Sequence, residues 1–162
     1  MTKNDIFVKL ANRLKDVDYM ENESDVPEIK GQAIYAKSLY YLIAKIPDLS
    51  ITRAIVNSSP ELKFHLKKSK NSTFLAITDE SWLSVFSYDE LDETPTKFQE
   101  AVLYGLIQGK YTHHKHGQYI QNINDDNLLV ERDRDQIYIE NIRLRINNAT
   151  YTTETDCVLY LI

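Results

Sequence analysis

The chain has 162 residues, 43% of them apolar and 27% charged, with a formal charge of −5 and a pI near 5.4. That length is enough for one domain with a real hydrophobic core, and the net acidity removes the simplest electrostatic argument for nucleic-acid binding. Cys157 is the single cysteine, which excludes a disulfide framework and a cysteine-based zinc site.

Thr2 or Asn4 caps a first helix that places Ile6, Phe7, Leu10, Leu14 and Val17 on one face. Nothing in this opening resembles a signal peptide. The acidic segment around Glu21-Asn22-Glu23-Ser24-Asp25 breaks the pattern and reads as an exposed loop. Ser24 or Asp25 ahead of Pro27 and Glu28 then starts a second helix, since proline suits the first helical turn. Ile29, Ala33, Ala36, Tyr40 and Ile43, widened by Ile34, Leu39 and Leu42, predict that this helix is the most buried one and runs to Pro47. Its apolar-rich part, residues 33–46, is interrupted by Lys37 and Lys45 and is too short to span a bilayer. These features predict a cytoplasmic protein with no membrane partner.

Residues 49–70 carry two patterns. Ser59-Pro60-Glu61 is a helix start and favours two short helices, 50–57 and 60–69, whereas Leu62, Phe64 and Leu66 alternate as in a strand. Residues 73–78 and 82–87 read as a β-hairpin turning at Asp79-Glu80-Ser81. Thr94-Pro95 opens a third long helix through Phe98, Val102 and Leu106 to about Lys110 or Tyr111, with Gly105 and Gly109 weakening it or admitting a close neighbour.

From Gly117 the pattern is β. Ile137 and Ile139 alternate, as do Ile142, Leu144 and Ile146, but out of phase, so Glu140-Asn141 must be a turn or bulge. The apolar run from Cys157 to Ile162 has the composition of a strand inside a sheet. The expected fold is α+β: N-terminal helices, a β-hairpin, a third long helix and a C-terminal antiparallel β-rich part. No linker or repeat divides it, so a single domain over 1–162 is expected.

Charge is segregated in blocks. Residues 53–70 hold Arg53, Lys63, Lys67, Lys68 and Lys70 against Glu61 alone. Acids dominate on both sides, including Asp79, Glu80, Asp89, Glu90, Asp92 and Glu93 downstream. The expected order over residues 27–87, three helices and a hairpin, resembles a winged helix-turn-helix. That resemblance implies DNA contacts from Arg53, Lys63, His65, Lys67, Lys68 and Lys70, with Asn71 beside them. The turn before the third of those helices lacks glycine, and the wing tip would present Asp79 and Glu80 to phosphates.

His113, His114 and His116 are weak metal candidates, with Asp125 and Asp126 as further donors if the fold brings them near. Neighbouring side chains on one segment point apart, and a helix C-terminus would favour positive charge there in any case. Glu131-Arg132-Asp133-Arg134-Asp135 reads as an exposed, charge-rich turn. No phosphate-binding glycine loop, Gly-x-Ser-x-Gly or zinc-peptidase motif is present. Cys157 reads as an inert core residue.

The residues therefore favour a non-enzymatic macromolecule-binding protein without a cofactor. Its expected form is an inhibitor or immunity-type protein whose acids at Asp79, Glu80, Asp89, Glu90, Asp92 and Glu93 block a basic protein surface. The eleven tyrosines would supply anchors. The alternatives are a winged-helix DNA-binding regulator and, third, a metal-dependent nuclease. Homo-oligomerisation is left open.

Overall fold

A computed structural model of the chain describes residue 9 and residues 34–93, 95–145 and 151–162. The expected first helix, the acidic loop after it and the Pro27 helix start lie, Lys9 apart, outside the described residues. In chain order the strands are β1 (Ile34–Ala36), β2 (Ser72–Ala76), β3 (Leu106–Gln108), β4 (Tyr119–Gln121), β5 (Asn127–Asp133), β6 (Gln136–Ile139), β7 (Ile142–Arg143), β8 (Tyr151–Thr153) and β9 (Val158–Leu161). The helices are α1 (Leu39–Lys45), α2 (Ser50–Asn57), α3 (Pro60–Lys68), α4 (Asp79–Val85), α5 (Tyr88–Glu93) and α6 (Pro95–Tyr104), with a 3-10 turn at Pro47–Leu49. The α+β class stands.

Two apolar runs organise the larger sheet. Residues 73–77 and 157–162 are buried throughout, as expected of strands covered on both faces. They pair in parallel, Thr73 with Val158 through Ala76 with Leu161. The sheet order is β1-β8-β9-β2-β3, so the C-terminal run sits in the middle as its composition predicts. A second, antiparallel sheet of order β4-β5-β6-β7 joins it where Ile107 bridges Asn122 and the Ile123 N–H donates to the Leu106 carbonyl at 2.8 Å.

The Glu140-Asn141 turn is where the shift in alternation places it. Ile139 pairs with Ile142, and the two turn residues have φ of 50° and 67°, the left-handed pair of a two-residue hairpin. Because Ile139 and Ile142 face each other, Ile137, Ile139, Ile142 and Leu144 are all buried on the inner side.

The two short helices over 50–69 also form, α3 ending one residue early at Lys68. Ser59 caps α3 by accepting from the Leu62 N–H, and Pro60 occupies its first position.

Three expectations are corrected. The buried helix ending at Pro47 is instead a strand followed by a helix over the described residues. Residues 34–36 pair in parallel with Tyr151–Thr153, Ser38 is extended, and α1 starts only at Leu39. An apolar segment of this length fits either period, and a strand partner over a hundred residues away decides it.

The expected hairpin is a strand followed by a helix. The Thr78 hydroxyl accepts from the Ser81 N–H, Asp79 and Glu80 fill the first helical turn, and Trp82 and Phe86 lie four residues apart on one buried stripe. The β-forming side chains of Trp82, Val85 and Phe86 therefore build α4 and its end, and no wing exists there.

The third long helix stops at Tyr104, short of Lys110, because Leu106–Gln108 pairs with β2. Gly105 is the close-approach site: a Cβ there would lie 2.5 Å from the backbone carbonyl oxygen of Leu75. Gly105→Ala should lower stability by about 1–3 kcal/mol, the usual cost of overpacking against backbone. Urea denaturation would show this as a lower midpoint, while Lys97→Ala on the exposed side of α6 leaves the midpoint unchanged.

Candidate functional site

Burial separates the charged residues that build the fold from those that face outward. The Asp79 carboxylate accepts from the Ser50 hydroxyl at 2.6 Å and the Ile51 N–H at 2.8 Å, so it caps α2 from the start of α4. Glu80 pairs with Arg145 at 3.1 Å. Arg53 donates to the carbonyls of Ile43 and Ile46 and closes the end of α1, so it is taken up by the backbone.

On α5, Glu90 and Ser87 form a reciprocal cap. The Ser87 N–H donates to the Glu90 carboxylate and the Glu90 N–H to the Ser87 hydroxyl, both at 3.2 Å. Leu91 faces the core. Tyr88, Asp89 and Asp92 are exposed, Tyr88 at 66%. Glu93 ends the helix.

The basic residues of α3 are arranged differently. Leu62 and Leu66 are buried, His65 lies 3.7 Å from Glu61, and the Lys67 ammonium sits 4.8 Å above the Tyr40 ring. Lys67, Lys68 and Lys70 are exposed, Lys63 is half-buried and Asn71 is exposed. The structure thus brings Lys63, Lys67, Lys68 and Lys70 to one helix and its exit, and sets Arg53 apart from them.

The histidines do not converge. His114 is buried and stands edge-on to the Tyr160 ring at 5.1 Å, whereas His113 and His116 are exposed. Arg132 holds this loop, its backbone N–H donating to Nδ1 of His116 and its guanidinium to the His114 carbonyl. Among the described residues no three His, Cys, Asp or Glu side chains are placed to hold a metal ion. Asp126 is used elsewhere: the fully buried Asn122 donates to it and to the Tyr104 carbonyl, and accepts from the Asn124 and Asp126 N–H groups. Cys157 is buried, its thiol 3.3 Å from the Ser69 carbonyl. The alternating-charge segment forms the end of β5 and its turn, with Arg134 at φ 58°.

Residues 47–162 match the family model for the fasciclin domain. The chain belongs to the fasciclin domain family. No curated protein matches it. Fasciclin domains are α+β, non-enzymatic, adhesion-type domains that mediate protein–protein interactions in secreted or cell-surface proteins.

This membership overturns four expectations. The inhibitor or immunity role, the winged-helix regulator and the nuclease are all replaced by a domain of adhesion type. The winged-helix reading also loses its wing to α4. The cytoplasmic assignment gives way to the secreted or cell-surface setting of the family. Among the described residues no helix is long and apolar enough to cross a membrane.

Sequence reasoning missed the inward role of His114, whose Nε2 finds no hydrogen-bond partner. Burial first, then the nearby charges of Arg132 and His113, hold its imidazole below the usual value of 6.5. The unfolded chain therefore binds a proton before the folded one does. Stability should be highest above pH 6.5 and should fall as pH drops from there through the lower folded value. Urea midpoints taken from about pH 7.5 to about pH 5 should decline in the parent and much less in His114→Phe. Equal slopes in the two proteins would remove His114 as the cause.

Proposed function

We propose that this fasciclin domain is a protein-binding module of a secreted or cell-surface protein, without catalytic turnover, and that it meets its partner through the outer side of α5. The family match over residues 47–162 carries the binding role. The choice of α5 is supported by its chemistry. Tyr88 is the most exposed large apolar side chain among the described residues, at 66%. A tyrosine contributes contact area and a hydroxyl at small conformational cost, which suits an interface anchor.

Asp89 and Asp92 flank it on a short helix whose start is fixed by the Ser87–Glu90 cap. The two carboxylates orient an incoming protein and set its on-rate more than its affinity. Asp79 and Glu80, by contrast, are held by Ser50, Ile51 and Arg145, and their part is to fix the α2–α4 frame.

A photo-crosslinking side chain placed at position 88 should capture a defined protein from the extracellular and surface fraction of the native host. The same group at exposed Lys97 should not. Tyr88→Ala should weaken binding of that protein by at least about tenfold, as loss of an interface anchor does. Equal capture at both positions, or unchanged affinity of Tyr88→Ala, would move the interface off α5.

A further inference from the structure

The outer side of α3 combines an exposed aromatic ring with lysines that no described carboxylate pairs. With Leu62 and Leu66 inward, the helical repeat points Phe64 directly outward, and its side chain is 60% exposed. Lys67 and Lys68 follow one turn later on the same side, and Lys63 and Lys70 extend the positive charge along the helix and past its end. Among the described residues no carboxylate lies within ion-pair distance of these four lysines. Glu61, 3.7 Å from His65, is the acid on this helix. The aromatic surface continues onto α1, where Tyr40 lies beneath Lys67 and meets the 46% exposed Tyr41 edge-on, ring centres 5.3 Å apart.

We propose that this face of α3 docks on the surface of an anionic lipid bilayer, with Phe64 entering the headgroup boundary and Lys63, Lys67, Lys68 and Lys70 meeting lipid phosphates and carboxylates. Charge complementarity selects an anionic partner. Phe64 favours a bilayer over a heavily hydrated polyanionic chain, because a ring with no polar atom gains from leaving water for the acyl boundary. The lysine stems lie along the surface and lift their ammonium groups to headgroup level. The rest of the chain is acidic, so the attraction is local, modest in strength and sensitive to salt.

The test is co-sedimentation of the full chain with two kinds of vesicle, neutral phosphatidylcholine and phosphatidylcholine containing about one-third phosphatidylserine. Binding to the anionic vesicles should exceed binding to the neutral ones by at least about tenfold and fall as salt is raised. Phe64→Ala, and separately Lys67→Glu with Lys68→Glu, should each reduce it about tenfold, with an unchanged melting curve showing that the fold is intact. Phe64→Trp should give blue-shifted emission and quenching by brominated lipid on the anionic vesicles alone. Three results would overturn the proposal: equal binding to both vesicles, anionic binding that survives these substitutions in folded protein, or heparin binding tighter than vesicle binding and indifferent to Phe64→Ala.

Discussion

The constraint on which the structure rests is the placement of residues 158–161 in the middle of the larger sheet. β9 reaches its parallel neighbour β2 across more than eighty residues of chain, and its antiparallel neighbour β8 across a tight turn. Two central strands buried on both faces leave no solvated side, so helices must cover them. The main-chain oxygen of Ile162 accepts from the Thr78 N–H, the Thr78 hydroxyl and the Ser81 hydroxyl, which fixes where α4 begins. From that point Trp82 reaches inward. Its indole N–H donates to the buried Thr52 hydroxyl, which donates to the Ile77 carbonyl, while its ring meets Phe98 edge-on at 5.6 Å. One hydrogen-bonded line therefore ties α2, the residue just after β2 and α4 together, and the Trp82–Phe98 contact adds α6.

This frame explains why several polar residues that resemble site residues are structural. Buried polar groups need partners, and the sheet-covering helices create helix ends that must be satisfied away from bulk water. Asp79 meets the start of α2, Arg53 the end of α1, and Asn122 the chain reversal between β4 and β5. Among the described side chains that face outward are those of a short acidic helix with an exposed tyrosine and of a basic helix with an exposed phenylalanine. In a binding domain, such outward side chains are open to contacts beyond the chain.

Much of the fold was legible where signals are local. The cap and proline at Ser59-Pro60, the shift in alternation at Glu140-Asn141 and the unbroken apolar run at the C-terminal end each have one mechanical reading, and each was realised. The failures share a cause. Residues 34–36, 82–87 and 105–108 have side chains compatible with helix or strand, and partners distant in sequence chose between them. Pairing with β8 pulled the first into a strand. The Thr78 cap and the Trp82–Phe86 stripe made the second helical, and the Leu75 carbonyl against Gly105 helped end the third helix early. The candidate site was less legible still. Fasciclin membership carries no short catalytic motif to find, and charge counts along the chain cannot tell a capping carboxylate such as Asp79 from an exposed one such as Asp89.

The central claim, that the β9–β2 pair is the last part of the domain to open, is tested most directly by native-state hydrogen exchange followed residue by residue. The account predicts that the backbone amides of residues 158–161 and 73–76 exchange only through global unfolding. Those of α3 and α5 should open at lower free energy. Exchange from the β9 amides by a sub-global opening, ahead of those in α3, would contradict it.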